Sequence, residues 1–341
     1  MKTNRQWRLR QRPQGQVSTE TLELVTEPAP SPADGQILVR NVYLSLDPTN
    51  RIWMTDMAQY MPPVALGEVM RGGTIGRVIE SRHPAFTPGD WVSGMGQWQD
   101  YWCGPGEQMA KLPWDGTLPL TIYSGLLGMI GCTAYFGMLE IGNPQAGDTV
   151  VVSGAAGAVG SIAGQLAKIR SARVIGVAGS RAKCDWLVTD CGFDGAIDYR
   201  AEDVPARLDA LAPDGIDVYF DNVGGAITEA AFDRLNLNAR VPLCGLISTY
   251  NKPVPTGPRN YHMILMRRAI VRGFIVMDYL PRFSEAIAQL AQWYAAGKIH
   301  YRVDVRDGLE HAPAHLNALF DGSNQGKLIV RIADEDEGDR L

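Results

Sequence analysis

The hydrophobic pattern of the chain changes near residue 120. Before that point, from Gly35 to about Lys111, short apolar runs alternate with turn residues. Such spacing is typical of an all-β domain. The strands predicted in this part are Ile37–Val42, Thr74–Glu80, Asp90–Ser93 and Gln108–Leu112.

From Thr149 onward, continuous apolar runs alternate with stretches of helical periodicity, which is the pattern of βαβ units with parallel strands. Helices are predicted up to about Arg170, from Arg181, near Asp203, from Ala226 and over Phe283–Ala296. The predicted strands are Thr149–Ser153, Arg173–Val177, Gly195–Asp198, Ile216–Phe220, Val241–Leu246, Arg272–Met277 and Lys327–Ile332. The fold class predicted is therefore α/β, with a doubly wound parallel sheet of the Rossmann type beside a β domain.

Composition excludes several classes of function. With 341 residues, 45% apolar and 20% charged, the chain has the size and balance of a two-domain globular protein. Much of the net charge of -5 lies in an acidic run from Asp334 to Asp339, which predicts either a solvated tail or a partner-binding one. The remainder is nearly neutral, so no nucleic-acid partner is expected.

No targeting or membrane segment is expected either. The start, Met1 to Arg12, is polar and basic, and no long uncharged apolar run follows. A cytoplasmic location is predicted. The 5 cysteines include no Cys-x-x-Cys pair, which argues against a disulfide framework and against a structural zinc lobe.

A glycine-rich turn predicts a dinucleotide site. The apolar strand Val150–Ser153 runs into Gly154-Ala155-Ala156-Gly157-Ala158-Val159-Gly160 and then into a helical pattern. A pyrophosphate needs backbone amides at a helix start and close backbone approach, which Gly157 and Gly160 allow. Ala155 stands where the usual fingerprint has its first glycine.

The next strand indicates which dinucleotide is bound. NAD sites carry an acidic residue about 20 residues past the glycines, where it meets the ribose. Here Ser180, Arg181 and Lys183 follow the strand instead, and they suit a 2′-phosphate. NADP(H) is therefore the predicted cofactor, although the two cations also suit a solvated helix end.

These features lie in a sequence that resembles a known family, the zinc-free, NADPH-dependent double-bond reductases of the medium-chain dehydrogenase/reductase type, which include prostaglandin, alkenal and curcumin reductases. The likeness covers almost the whole chain. The motifs that carry it are Ser45-Leu46-Asp47-Pro48-Thr49-Asn50-Arg51, Ala155–Gly160, Asp221-Asn222-Val223-Gly224-Gly225, Cys244–Asn251, Gly273–Val276 and Asn324–Lys327.

The resemblance implies an N-terminal GroES-like catalytic domain over 1–127, a Rossmann domain over 128–299, and a segment 300–341 that returns to the catalytic domain. It also implies an active site in the cleft and a homodimer. The cofactor contacts that it implies are Gly157, Ala158, Val159, Gly160, Lys183, Tyr199, Asn222, Cys244, Gly245, Ile247, Ser248, Tyr250, Phe274, Ile275, Val276 and Asn324.

No metal site is predicted. Zinc-dependent relatives use a cysteine and a Gly-His-Glu, where this chain has Leu66-Gly67-Glu68. His311 and His315 are spaced to share a helix face, but Pro313 lies between them and no third ligand is evident.

Without a metal to polarise an alcohol, reduction of an activated double bond demands least of the protein. Tyr250 is the candidate catalytic residue, because a phenol can donate a hydrogen bond to the enolate oxygen and transfer a proton. The alternative is that Tyr250 only packs on the cofactor. Some relatives carry a tyrosine where Met266 stands here; Tyr261 lies close by, and solvent or a cofactor ribose hydroxyl could supply the proton.

Two further segments near the N-terminus have open interpretations. Asp47-Pro48 predicts a structural turn in which Arg51 pairs locally. The apolar stretch that follows is either core or the lining of a pocket for an apolar enone or enal, and its members are Trp53, Met54, Met57, Tyr60 and Met61.

Two other functions fit the same motifs. A quinone reductase uses the same conjugated-acceptor chemistry on the same architecture. A non-catalytic nucleotide-binding protein would bind NADPH and turn over no acceptor.

Overall fold

The computed structural model describes residues 2–252 and 256–335, and it divides into two compact units. Unit 1 comprises 1–124, 303–324 and 328–341, and unit 2 comprises 125–302 and 325–327. The domain boundaries at 127/128 and 299/300 stay predictions. Most of the acidic run from Asp334 onward lies outside the described residues, so the choice between its two interpretations stays open.

The strands are β1 Thr3–Leu9, β2 Leu22–Pro28, β3 Gln36–Ser45, β4 Thr74–Ser81, β5 Trp91–Gly94, β6 Tyr101–Pro105, β7 Met109–Lys111, β8 Thr149–Ser153, β9 Arg173–Ala178, β10 Gly195–Asp198, β11 Ile216–Phe220, β12 Leu235–Leu243, β13 Ile270–Gly273, β14 Val303–Asp307 and β15 Lys327–Arg331.

The helices are α1 Thr49–Trp53, α2 Met129–Phe136, α3 Ala158–Ile169, α4 Arg181–Thr189, α5 Val204–Leu211, α6 Gly225–Phe232, α7 His262–Arg267, α8 Phe283–Ala295 and α9 Ala312–Asp321. A π-helical segment, Gly137–Gly142, continues α2. None of the described helices has both the length and the apolar character needed to cross a membrane.

Unit 2 holds a six-stranded parallel sheet in the order β10-β9-β8-β11-β12-β13. The chain runs outward from β8 to β10, then returns to β11 on the other side of β8. This reversal is the topological switch point of a doubly wound fold, and ligands bind beside it at the carboxyl ends of the strands. The predicted Rossmann architecture is confirmed.

Burial explains why β8 reads as a continuous apolar run. Val150, Val151 and Val152 have no exposed surface, because helices cover both faces of the sheet. Helix α3 packs its Ile162 and Leu166 inward. A side chain at Gly164 would lie 2.0 Å from the Phe193 ring, so a glycine is needed there.

Unit 1 holds a seven-stranded sheet in which β15, from the C-terminal segment, pairs antiparallel with β3. The prediction that the C-terminal segment completes the N-terminal β domain is confirmed. A separate two-stranded sheet, β1 with β2, was not predicted, because charged residues break the apolar alternation in both strands.

Two predicted strands are shifted. The sequence pattern indicated Val241–Leu246 and Arg272–Met277, whereas β12 covers Leu235–Leu243 and β13 covers Ile270–Gly273. The pairing explains the difference: β12 ends at Leu243, opposite Gly273, so the residues that follow have no strand to pair with. Phe274 to Val276 therefore lie just past the carboxyl end of the sheet.

Candidate nucleotide and active site

The turn between β8 and α3 is shaped for close approach to its backbone. Gly154 adopts φ +58°, which a residue with a side chain rarely does, and a side chain at Gly160 would lie 2.4 Å from the Gly154 carbonyl. Ala155 is fully buried and its amide donates to the Val177 carbonyl at 3.0 Å. Gly154, not the residue at 155, thus makes the left-handed turn.

The start of α3 is available to an anion. Gly157 is the N-cap, and within the described ranges no side chain caps the first amides of this helix. The amides of a helix start that have no acceptor within the helix bind phosphate oxygens well, with help from the helix dipole. The predicted residues Gly157 to Gly160 therefore fit a pyrophosphate.

The carboxyl ends of β9 and β10 bring together the residues predicted to bind the 2′-phosphate. The Ser180 hydroxyl accepts the Lys183 amide at 3.4 Å and caps α4. Tyr199 donates its amide to Ala178 at 3.0 Å, and its ring lies 3.0 Å from where a Gly179 side chain would begin. Ser180, Lys183 and Tyr199 consequently lie at one corner of unit 2.

The other cations of this corner have different surroundings. Arg181 is largely exposed and donates to Asp185 at 2.7 Å, as expected for a surface pair four residues apart. The Arg200 guanidinium lies 5.7 Å from the centre of the Tyr199 ring. Arg200 was not predicted to bind the 2′-phosphate. In the sequence, only its position just after the predicted strand β10 could have indicated that role.

Two loops meet at the carboxyl ends of β11 and β12. The Asn222 amide group donates to the Ser153 carbonyl at 2.7 Å. The Ile247 amide donates to the Asn222 carbonyl at 3.3 Å, and the Ser248 amide donates to Val223 at 3.1 Å. The predicted cofactor contacts in 222–225 and 244–250 thus form one hydrogen-bonded surface, the Asn222 surface.

One polar atom of this surface has no protein partner. The Ser248 hydroxyl oxygen is buried without a hydrogen bond to any residue that the structure describes. A side chain at Gly225, where φ is +64°, would lie 3.0 Å from it. A buried hydroxyl with no partner is costly, and a bound ligand could satisfy it. The surface therefore fits a nucleotide here as well.

Tyr250 ends the second loop. Its phenol oxygen accepts the Leu246 amide at 3.0 Å, and a side chain at Gly245 would lie 3.3 Å from the same oxygen. The loop backbone thus fixes the position of the hydroxyl. A phenol hydroxyl can both accept and donate a hydrogen bond.

The segment after β13 is held from one side by aromatic packing. A side chain at Gly137 would lie 2.5 Å from the Phe274 ring, so the glycine allows that ring to approach. Val276 packs with the buried Phe136, whose ring stacks on Tyr279 with centroids 4.4 Å apart. Phe274, Ile275 and Val276 are therefore supported by α2 and its π-helical continuation. Asn324, the last predicted contact, is buried in unit 1.

Three members of the apolar stretch after Asp47 in unit 1 belong to its core, and the pocket-lining role of the other two stays a prediction. Trp53 and Met54 are buried and belong to the core, with Met61 packed against that core. Met57 and Tyr60 are exposed. The Tyr60 hydroxyl accepts the Trp53 indole N–H at 3.0 Å and lies 2.6 Å from the Thr49 hydroxyl.

The predicted local pairing of Arg51 is wrong. Its guanidinium is buried and donates to the carbonyls of Gly15 at 2.9 Å and Pro13 at 3.2 Å, far away in sequence. The predicted turn at Asp47-Pro48 is present, because the Asn50 amide donates to the Asp47 carbonyl at 2.9 Å; the Asp47 carboxylate accepts the Ser45 hydroxyl at 2.5 Å. Arg51 therefore ties the N-terminal loop to α1.

No set of three or more His, Cys, Asp or Glu side chains in residues 2–252 and 256–335 is placed to hold a metal ion. The rings of His311 and His315 lie 6.0 Å apart, and burial lowers the pKa of His315. Glu68 accepts the Ala65 amide at 3.1 Å.

The sheet order, the glycine turn and the loops at the carboxyl edge define a dinucleotide-binding protein of the dehydrogenase and reductase class. Two family models match the chain. One is described as the N-terminal domain of oxidoreductase and covers residues 5–112; the other is described as zinc-binding dehydrogenase and covers residues 158–294.

Relatives match over nearly the whole chain. The NADPH-dependent curcumin reductase of Escherichia coli K12 is 43% identical, with 98% of each chain covered. The NADP(+)-dependent 2-alkenal reductase of Nicotiana tabacum is 40% identical, with 88% of each covered. CurA from Vibrio vulnificus in complex with NADPH is 43% identical and superposes with a TM-score of 0.91 over 97% of this chain and 99% of that one. The chain belongs to the medium-chain dehydrogenase/reductase family, among its NADPH-dependent double-bond reductases.

Cys244 in this surface is held as a thiol. Burial, assisted by the negative charge of Asp221, raises the pKa of Cys244 to about 12 from 9.0. At pH 8 its thiolate fraction should be about a thousandfold below that of an ordinary cysteine, since the thiolate is the reactive form. We expect iodoacetamide to label Cys244 in the folded protein far more slowly than in urea, as measured by peptide mass spectrometry. Equal labelling in both states would contradict this.

Proposed function

We propose that the protein uses NADPH to reduce the carbon–carbon double bond of α,β-unsaturated aldehydes and ketones, without a metal ion. The observation that carries the proposal is the placement of Tyr250: its hydroxyl is fixed by the loop that joins the Asn222 surface. The relatives named for curcumin and 2-alkenals support the same chemistry, because a 2-alkenal is a conjugated aldehyde.

In this reaction the protein mainly has to position the nicotinamide, the substrate and one hydrogen-bond donor. Bound NADPH would supply a hydride from its nicotinamide. In a conjugated carbonyl the β-carbon is already electrophilic, so hydride addition there places negative charge on the oxygen. Tyr250 donates a hydrogen bond to that oxygen as the charge develops, and a proton from solvent then adds to the α-carbon.

The cofactor surfaces follow from the sheet. Gly157 to Gly160 would hold the pyrophosphate at the start of α3, and Ser180, Lys183 and Tyr199 would hold the adenosine 2′-phosphate. The residues that would hold the other half lie on the β11 and β12 side, where the second mononucleotide-binding half of the fold ends. They are Asn222, Cys244, Gly245, Ile247, Ser248, Tyr250, Phe274, Ile275 and Val276.

A substrate panel tests the proposed function. NADPH oxidation is followed with enals, enones, curcuminoids and quinones, and products are identified by mass spectrometry. We expect saturated carbonyl products, and the same rate after dialysis against a chelator. Quinol as the only product would make the protein a quinone reductase. Tight NADPH binding with no turnover would make it a non-catalytic nucleotide-binding protein.

Replacing Tyr250 with phenylalanine should lower kcat for an enone by about 100-fold or more, because one positioned proton donor contributes about that much. NADPH affinity, measured by fluorescence titration, should change by less than kcat, because phenylalanine keeps the ring that packs on the cofactor. Tyr261→Phe is the matched control, since Tyr261 is largely exposed at the start of α7. A loss of kcat in Tyr261→Phe, with Tyr250→Phe unaffected, would assign the donor to Tyr261.

Replacing Lys183 with glutamate should raise the NADPH Kd by about tenfold to a hundredfold, since a hydrogen bond to a charged group contributes about 1.5–3 kcal/mol. The NADH Kd should stay constant or fall, because NADH has no 2′-phosphate. Lys298→Glu makes the same charge change at the exposed end of α8. If both variants weaken NADPH equally, Lys183 does not contact the phosphate.

We propose that two copies associate through β13 and α7. Strand β13 is at the open edge of the parallel sheet, and apolar side chains beside it are exposed: Leu265 at 73% and Ile270 at 62%. An exposed apolar strand edge is a surface for pairing with another chain.

Light scattering of the wild-type protein should therefore give twice the chain mass of 37.2 kDa. Ile270→Lys should shift the mass toward the monomer, because it places a charge in the paired edge. Val305→Lys changes an exposed edge residue of unit 1 and should leave the dimer intact. A monomeric wild type would contradict the assignment.

A further inference from the structure

Asp221 directly follows β11 and its side chain is 1% exposed. Four donors reach its Oδ1 atom: the Ser153 hydroxyl at 3.0 Å, the Tyr219 hydroxyl at 3.0 Å, and the amides of Val223 and Gly224 at 2.9 Å each. The Thr228 hydroxyl, on α6, donates to Oδ2 at 2.6 Å. A buried carboxylate is tolerated when protein donors replace its water, and here five do so.

The backbone of Asp221 makes a second set of hydrogen bonds. Its amide donates to Pro242 at 3.0 Å, and its carbonyl accepts the amides of Cys244 at 2.8 Å and Gly245 at 3.1 Å. This one residue therefore connects the ends of β8, β11 and β12, and it joins both loops of the Asn222 surface.

The arrangement of protons fixes the Asn222 side chain. Because the Ser153 hydroxyl gives its single proton to Asp221, its oxygen is left to accept, and it accepts the Asn222 backbone amide at 2.9 Å. The Asn222 side-chain nitrogen then donates to the Ser153 carbonyl at 2.7 Å. Burial, together with the Asp221 charge, raises the pKa of Tyr219 well above its usual value, so its phenol remains a donor.

We propose that Asp221, acting through Ser153, is a positioning residue for the half of NADP(H) that lies on the β11 and β12 side. It touches no cofactor in this account; it fixes Asn222 and the 244–250 loop, which do. The inference rests on the proposed function for the identity of the nucleotide. The proposed role of Asp221 concerns only this half of the cofactor. Ser180, Lys183 and Tyr199, which are assigned to the adenosine phosphate, lie at the ends of other strands.

Two variants test the proposal, and both retain the shape of the site. Asp221→Asn removes the charge and forces Thr228 to accept instead of donate. Ser153→Ala removes the acceptor of the Asn222 amide. Each variant is titrated with NADPH and with 2′,5′-ADP, which carries the adenosine phosphates and no nicotinamide, and unfolding temperatures are measured alongside.

Asp217→Asn is the control for stability. Asp217 is on the same strand at its opposite end, where it accepts the Thr149 amide at 2.8 Å and the Asn236 side chain at 2.8 Å. The substitution weakens links between the same strands, far along β11 from the carboxyl edge.

We expect Asp221→Asn and Ser153→Ala to raise the NADPH Kd by about tenfold while the 2′,5′-ADP Kd stays within about twofold. Asp217→Asn should lower the unfolding temperature without changing either Kd. The proposal is overturned if both ligands weaken together, if NADPH affinity is unchanged in the two variants, or if Asp217→Asn weakens NADPH equally. A wild type that does not bind NADPH also overturns it. A wild type that binds NADPH but reduces no enone contradicts the proposed function alone.

Discussion

A carboxylate buried at the carboxyl edge of a parallel sheet determines much of this molecule's local order. Asp221 has lost its water, and the five donors around it come from the ends of β8 and β11, the 222–225 turn and α6. Because an unpaired buried charge costs several kcal/mol, these groups are constrained to remain together. The consequence is an edge whose loops are already ordered before a ligand arrives, and order of that kind lowers the entropic cost of binding.

The same edge suits the proposed reduction of a conjugated carbonyl. The chemistry of a conjugated carbonyl and a hydride donor needs alignment and one hydrogen bond to the oxygen rather than a Lewis acid. Glycines at 154, 157 and 160 allow close approach to the backbone of the turn, and the loop that ends in Tyr250 fixes a hydroxyl. Aromatic packing through Phe136 and Tyr279 supports the segment after β13 from the other side. Each feature restricts motion near the proposed positions of the cofactor and the substrate.

Sequence reasoning found the parts of this structure whose pattern is local. Three consecutive valines, which are buried in the structure, predicted β8. The glycines after them predicted a nucleotide-binding turn. Contacts that depend on distant residues gave no such signal. Gly154, not position 155, makes the left-handed turn, because the Ala155 amide donates a hydrogen bond to Val177 of β9. Arg51 was expected to pair nearby but binds carbonyls of Pro13 and Gly15. The role of Asp221 could not be predicted from the sequence either. Its partners Ser153, Tyr219 and Thr228 belong to two strands and a helix that only the fold brings together.

In the proposed reaction, hydride is delivered to the β-carbon of an activated double bond. This step is tested with NADPH deuterated at the nicotinamide C4 position that transfers, a simple enone as acceptor, and NMR of the product. We expect a saturated ketone with one deuterium on the β-carbon, and none from the cofactor on the α-carbon or the carbonyl carbon. An allylic alcohol with deuterium on the former carbonyl carbon would contradict it, because that product requires carbonyl reduction.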